Sequence, residues 1–311
     1  MAVILQRTMV FFACLMAGFF LKKVGVLKKK HFRYVSFLVF YVTLPCAIIN
    51  SFSNITFHWS FFGFILAGFV CDMILILTGF FLGKTKRQKA LFMICLQGFN
   101  IGCFTIPYLQ TMMNGDSVVA ACLFDTGNAF LVNGGAFAFA YAVYTMAGEE
   151  KEAVQKVGIK DILKKVFTSV PLDVQLIMCI IMLLAIPLPQ PILFFTGNIG
   201  KINGYVSMFM LGLGMEFAFS KEDIRNLCRM IGSRYFIGIL LGIIVLVGFK
   251  QLGTLQKTVC LLLASPVSVS NSLFTARLFG AESREVTLSC TISSVTVIIS
   301  VFIMTLVLIF I

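Results

Sequence analysis

Apolar runs separated by short polar stretches recur along the whole chain. Ten can be drawn, roughly 2–21, 34–53, 60–83, 89–112, 118–147, 172–189, 201–219, 234–252, 256–279 and 286–311. Each is close to the ~20 residues that a bilayer-crossing helix requires. The run 118–147 is longer and predicts a helix that tilts or projects from the bilayer. Two runs are interrupted by polar residues and a proline. The first break, 98–107, contains Gly98, Asn100, Ile101, Gly102, Thr105 and Pro107. The second, 264–272, contains Ser265, Pro266, Ser268, Ser270 and Asn271. Unwound backbone at membrane depth is tolerated only where protein or a water-filled cavity satisfies its N–H and C=O groups. Such breaks at matching positions in two halves of a chain point to a transporter's binding site.

The loops give an orientation. Of the 25 Lys and Arg residues, 21 fall in the loops after runs 1, 3, 5, 7 and 9, and four (Arg7, Lys201, Lys250, Lys257) fall on the other side. The positive-inside rule then places both termini outside a cytoplasmic membrane. Ten spans divide into five and five, and an odd number per half makes any structural repeat inverted. The expected organisation is a first five-helix repeat over 1–147, a cytoplasmic connector over 148–171 and a second, inverted repeat over 172–311. In the connector, Ile159, Ile162, Leu163, Val166 and Phe167 oppose Lys160, Lys164 and Lys165, the pattern of an amphipathic helix on a membrane surface. Pro45 in span 2 and a kink at Gly212 and Gly214 in span 7 lie at similar depth.

Composition agrees with an all-α polytopic membrane protein. Hydrophobic residues make up 59% and charged residues 12% of the 311, with mean hydropathy +0.99. The net charge of +12 resides in loops, so it reads as topology and not as nucleic-acid binding. The ten cysteines are scattered without a Cys-x-x-Cys pair, which indicates neither a zinc site nor a disulfide framework. The first apolar run does not read as a signal peptide, because its lysines follow it.

Candidate chemistry follows from the breaks. A discontinuous helix leaves unpaired N–H groups and partial positive charge at the N-terminus of its second half. Two such termini meeting at the midplane form an anion site. Asn100 and Asn271 can donate to a carboxylate there; the alternative is that they hydrogen-bond between helices. The candidate substrate contacts are Asn100, Ile101, Gly102, Thr105, Pro107, Ser265, Pro266, Ser268 and Asn271. Intramembrane acids are costly and default to functional hypotheses. Asp72 and Asp125 qualify, with Asn128 on the same helix face as Asp125, as candidates for coupling to a proton or sodium ion or for supporting the broken helix. Glu216 lies near a span end, within reach of water.

At these residues the chain resembles the auxin efflux carrier family. Span 2, with Leu44-Pro45, is similar to that family's "LP" span. Asn100 followed by Ile106-Pro107 resembles its first crossover, and Ser265-Pro266 through Gly280 its second. The glycine before Ile-Pro is Thr105 here, and Asp72 is followed one turn later by Ile76, where plant members carry a lysine. The hydrophilic mid-loop of plant carriers is absent, as in short bacterial members. The resemblance implies the inverted-repeat fold shared with bile acid–sodium symporters, elevator-type movement, transport of small organic anions and often a homodimer.

The expected function is secondary transport of a small organic carboxylate, with no cofactor beyond a coupling proton or sodium ion. The nearest alternative is a sodium-coupled symporter of the same fold. An intramembrane enzyme would need clustered aspartates for a metal or a buried general base, and the chain has no Asp-rich motif and no histidine deep in a span. A sensor would be expected to carry an added domain, and the loops hold none.

Overall fold

The computed structural model describes residues 2–28, 30–53, 62–113, 115–145, 169–218, 221–253 and 255–311. The expected connector helix over 159–167 lies outside these residues. Among the described residues the protein is helical throughout, and its single β-bridge pairs Phe99 with Val267. Five helices are long and apolar enough to cross a membrane: Ala2–Lys23, His31–Phe52, Phe62–Leu82, Asp223–Gly248 and Arg284–Phe310.

We number the helices in chain order. The first three are α1 (Ala2–Lys23), α2 (His31–Phe52) and α3 (Phe62–Leu82). The fourth apolar run is two pieces, α4 (Lys86–Leu96) and α5, which opens as a π-helical turn (Ile101–Thr105) and continues as Ile106–Met112. Next, α6 runs through Gly115–Phe130, a π-helical turn Leu131–Gly135 and Ala136–Thr145. It is followed by α7 (Val170–Leu183), α8 (Gln190–Gly200) and α9 (Asn203–Gly214). The chain ends with α10 (Lys221–Gly248), α11 (Leu255–Leu263), α12 (Ser270–Phe279) and α13 (Arg284–Phe310).

Proline and glycine account for the irregular turns. Pro45 and Pro107 each stand at the start of an α-helical stretch that follows a π turn, Val39–Thr43 and Ile101–Thr105. A proline inside a helix removes one N–H and crowds the carbonyl four residues back. The wider π turn relieves that conflict without ending the span. Pro107 therefore follows the first break and does not sit in it. The long run 118–147 is accommodated by a bend at Gly134, whose φ of 142° favours glycine. Span 7 begins earlier than its hydropathy suggests, as α8, and Gly214 ends α9 where a kink was expected.

The helices pack in two groups. α1 lies along α9, and α2 lies along α7 and α8. α3 lies against α4 and α6, and α10, α11, α12 and α13 pack among themselves and against α4. Close approach within each group relies on absent side chains. A Cβ on Gly212 would strike the Leu15 carbonyl across α1/α9, and one on Gly127 would strike the Ile65 carbonyl across α3/α6. Small residues let backbones meet this way where lipid gives no hydrophobic drive for association. Outward-facing side chains are apolar too: Leu66, Phe81, Phe194, Phe236, Val247 and Phe310 are all exposed. In water such a surface would be untenable; in a bilayer it is solvated.

Candidate functional site

The two breaks meet. α4 ends at Leu96 and α11 at Leu263, and the residues that follow them run antiparallel past each other. Asn100 N donates to Pro266 O at 2.9 Å and Ser268 N to Gly98 O at 3.2 Å, around the Phe99–Val267 bridge. Gly98 makes the turn possible: its φ is +81°, and a Cβ there would lie 3.0 Å from both Ser268 and Val132. The unwound backbone thus satisfies part of its hydrogen bonding across the crossover, and neighbouring helices supply the rest.

Side chains from α3, α6, α12 and α13 cap the remaining groups. Asp72 Oδ1 accepts from Gly98 N at 2.8 Å. Asn128 clasps the Phe99 peptide: its Oδ1 accepts from Phe99 N and its Nδ2 donates to Phe99 O, both at 3.0 Å. The same Nδ2 donates to Asp125 Oδ1 at 2.8 Å. On the other strand Val267 N donates to Thr296 Oγ1 at 3.2 Å. Asn271 donates to Gln97 O at 2.8 Å and accepts from Gln97 Nε2 at 3.0 Å. Thr105, in the position of the family's glycine, shares a 2.6 Å hydrogen bond with Ser265 across the two broken spans.

Asn100 differs from these. It precedes α5, is 5% exposed, and its Nδ2 has no hydrogen-bond partner. A buried amide donor without a partner costs about 1–3 kcal/mol, so this position has a donor to spare. Ile101, Thr105, Pro107, Ser265, Ser268 and Asn271 are buried, and Gly102 is half-buried. Ser268 Oγ accepts from Ser270 N at 3.3 Å, capping the start of α12. The structure therefore gathers the expected residues into one place, but divides them. Asn271, Asn128 and Thr105 are engaged with protein, whereas Asn100 keeps a free donor.

Arg234 was not expected here. Its position at the edge of an apolar run places it with the loop charges, yet α10 begins at Lys221 and buries Arg234 to 2% exposure. Its guanidinium donates to Leu96 O through Nη1, and through Nη2 to Gly98 O and Ser265 O, each at 3.1 Å, and to Pro266 O at 3.3 Å. The crossover thus holds a formal positive charge as well as helix dipoles. Gln97, Thr296 and Gln175 were also missed. Gln175 of α7 approaches the Asp125 carboxylate without reaching hydrogen-bonding geometry, and both its amide atoms are unpaired.

A cavity of about 300 Å³ opens beside Met215, whose carbonyl accepts from Lys22, and approaches the crossover at Cys103 and Val269 without being lined by Asn100 or the other expected substrate contacts. Phe32, Met210, Gly214 and Glu216 line it on one side and Ser272, Ser293 and Ser294 on the other, with Cys103 and Val269 next to the breaks. That size suits a small-molecule ligand. A depression of about 250 Å³ at the opposite end, lined by Asn50, Gln110 and Lys201, touches no residue of the breaks. Among the described residues no group of three or more His, Cys, Asp and Glu side chains is placed to hold a metal ion.

No curated protein matches the sequence significantly. A family model described as membrane transport protein, the family of the auxin efflux carriers, matches residues 2–307, and the chain belongs to that family of membrane transporters.

Proposed function

We propose that this protein is a secondary transporter of small organic anions, carrying a carboxylate across the cytoplasmic membrane by elevator-type alternating access. The observation that carries the reading is the unpartnered Nδ2 of Asn100, buried where two broken helices meet. The first turns of α5 and α12 bring further N–H groups and positive dipole ends to the same point. Arg234 adds a full charge nearby. Substrate contacts are assigned to Asn100, Ile101, Gly102, Thr105, Pro107, Ser265, Pro266, Ser268 and Asn271, with Asn100 the principal side-chain donor. Asp72, Asp125 and Asn128 support the crossover and couple it to a proton or sodium ion, since an ionised carboxylate would repel an anionic substrate at close range.

The packing supports an arrangement of two inverted repeats over 1–147 and 172–311. Under that exchange span 1 corresponds to span 6 and span 2 to span 7, and α1 packs on α9 as α7 packs on α2. Asn128 in span 5 caps Phe99 much as Thr296 in span 10 caps Val267. With both termini outside, the cavity opens to the cytoplasm, so this is an inward-facing state.

A thermal-shift screen of the purified protein against a carboxylate library tests the reading. A ligand at 100 times its dissociation constant adds roughly 2.7 kcal/mol. A carboxylate should stabilise the wild type, and far less so Asn100→Ala. A hit that is neutral or cationic, or one that stabilises both proteins equally, would refute it.

A further inference from the structure

The crossover brings together two helix C-termini as well as two N-termini. The carbonyls that close α4 and α11, and those just beyond, lack the partners that a continuous helix would give them. In broken-helix transporters, carbonyls of this kind coordinate a sodium ion. Here four of them converge on one guanidinium. Leu96 O and Gly98 O come from the first broken span, Ser265 O and Pro266 O from the second, and all accept from Arg234. The guanidinium carbon stands 4.8 Å from the centroid of the Phe99 ring, so the residue at the β-bridge also faces the charge.

We propose that Arg234 is the resident cation of the crossover, a tethered substitute for a dissolved ion, so that the crossover assembles in a sodium-free medium. The proposal rests on the transporter reading only in treating the crossover as the substrate site. Several features suit arginine to the task. Its charge is permanent, its five N–H groups lie in a fixed fork, and it is more weakly hydrated than an ammonium group. Held on α10, it loses no translational freedom on binding. It is also balanced locally. Asp72 takes the N–H of Gly98 while Arg234 takes the C=O of the same residue, so a carboxyl group and a guanidinium grip Gly98 from α3 and α10. A sodium requirement for transport, if present, would then reside away from these carbonyls, for example at Asp125.

Hydrogen exchange read by mass spectrometry tests this without a substrate. The peptides to follow cover Asn100 and Ser268, whose N–H groups bond across the crossover. In the wild type their exchange should be the same in sodium chloride and in N-methylglucamine chloride of equal ionic strength. Arg234→Ala in N-methylglucamine should exchange at both segments at least roughly tenfold faster, and millimolar guanidinium should restore protection. Arg234→Lys keeps a tethered charge and should stay much closer to wild type. Faster crossover exchange in the wild type on removal of sodium would overturn the assignment. So would unchanged exchange in Arg234→Ala, or an Arg234→Lys variant as open as Arg234→Ala. Should Arg234→Ala fail to accumulate, the sodium comparison on the wild type and the lysine variant still decide. Failure here leaves the anion-transporter reading standing, and a failed carboxylate screen leaves this test intact.

Discussion

Asn128→Leu separates a side chain that holds the crossover from one that waits for a ligand. Asn128 is 2% exposed and makes three hydrogen bonds, two to the Phe99 peptide and one to Asp125. Leucine keeps the branched outline but is bulkier, so crowding at this buried site can only add to the cost of the lost polar contacts. Phe99 O keeps a contact from Ile101 N at 2.9 Å. Phe99 N has no other acceptor and becomes a buried orphan, costing about 1–3 kcal/mol. Losing the bond to Asp125 adds about 1 kcal/mol or more, because the acceptor is a carboxylate. The total is at least about 2–4 kcal/mol, or a melting temperature lower by roughly 3–6 °C at this chain length. Asn100→Ala, by contrast, removes an unpartnered donor and should leave melting without ligand unchanged or higher, while weakening anion binding by about 1.5–3 kcal/mol, the range for a hydrogen bond to a charged group. Differential scanning fluorimetry of both variants with and without the carboxylate is the assay. Equal melting temperatures for Asn128→Leu and the wild type would refute the reasoning, as would an Asn100→Ala variant that is unstable yet binds normally.

Three further outcomes are expected. Cysteines introduced at Ser53 and Gly115 should react with an impermeant maleimide in intact cells, and one at Lys86 should not; the reverse labelling would invert the topology. Asp125→Asn should leave equilibrium substrate affinity within a few-fold while altering the pH or sodium dependence of uptake, and a collapse of affinity with intact ion dependence would move Asp125 into the substrate site. Val269→Trp, placed on a 41% exposed position of the cavity wall, should express and fold but fail to transport; normal uptake would mean that the cavity is not on the substrate's path.

The breaks were legible because glycine, asparagine, serine and proline are conspicuous in an apolar run. The apolar faces of α1, α3 and α13 were legible because a bilayer demands an unbroken stretch. Arg234 was hidden by the same rule. The segment from Lys221 to Arg229 is polar, so the apolar stretch starts near Arg234, although the helix starts well before it. Only the convergence of four carbonyls from distant segments gives that charge a reason to be buried. Asn271 shows the complementary limit: its residue type and depth are those of a ligand donor, but its pairing with Gln97 depends on how the crossover folds. The π turns at Val39–Thr43 and Ile101–Thr105 were likewise unreadable, since proline announces a disturbance and not the way the chain absorbs it.

The distribution of contacts also indicates where the molecule can move. The groups that clamp the crossover come from α3, α6, α10, α12 and α13, so the broken spans are fixed to one of the two helix groups. Contacts from that group to α1 and α9 are sparser and, near the end opposite the cavity, mix polar pairs with Phe11 edge-on to Tyr108 and Gly204 close to the Pro107 carbonyl. There Arg7 donates to Thr111 O, Thr8 pairs with Thr305 at 3.2 Å, and Asn203 donates to Gln110 at 2.9 Å. On the cavity side, Glu216 N and Ala218 N reach Ser294 and Thr291 from the segment that follows α9. Hydroxyl and amide contacts of this kind are each worth about 0.5–1.5 kcal/mol net and can be exchanged for others as two surfaces slide. The glycine-mediated contacts inside each group cannot, because a backbone already touches a backbone there. The elevator-type movement proposed above would exchange such polar contacts between the groups while the contacts inside each group stay intact. Removing the Asn203 amide by Asn203→Ala should weaken the closed end and bias the protein away from the inward-facing state. Maleimide labelling of a cysteine at Val269 in inside-out vesicles would report the shift: slower labelling supports the sliding surface placed here, and faster labelling would contradict it.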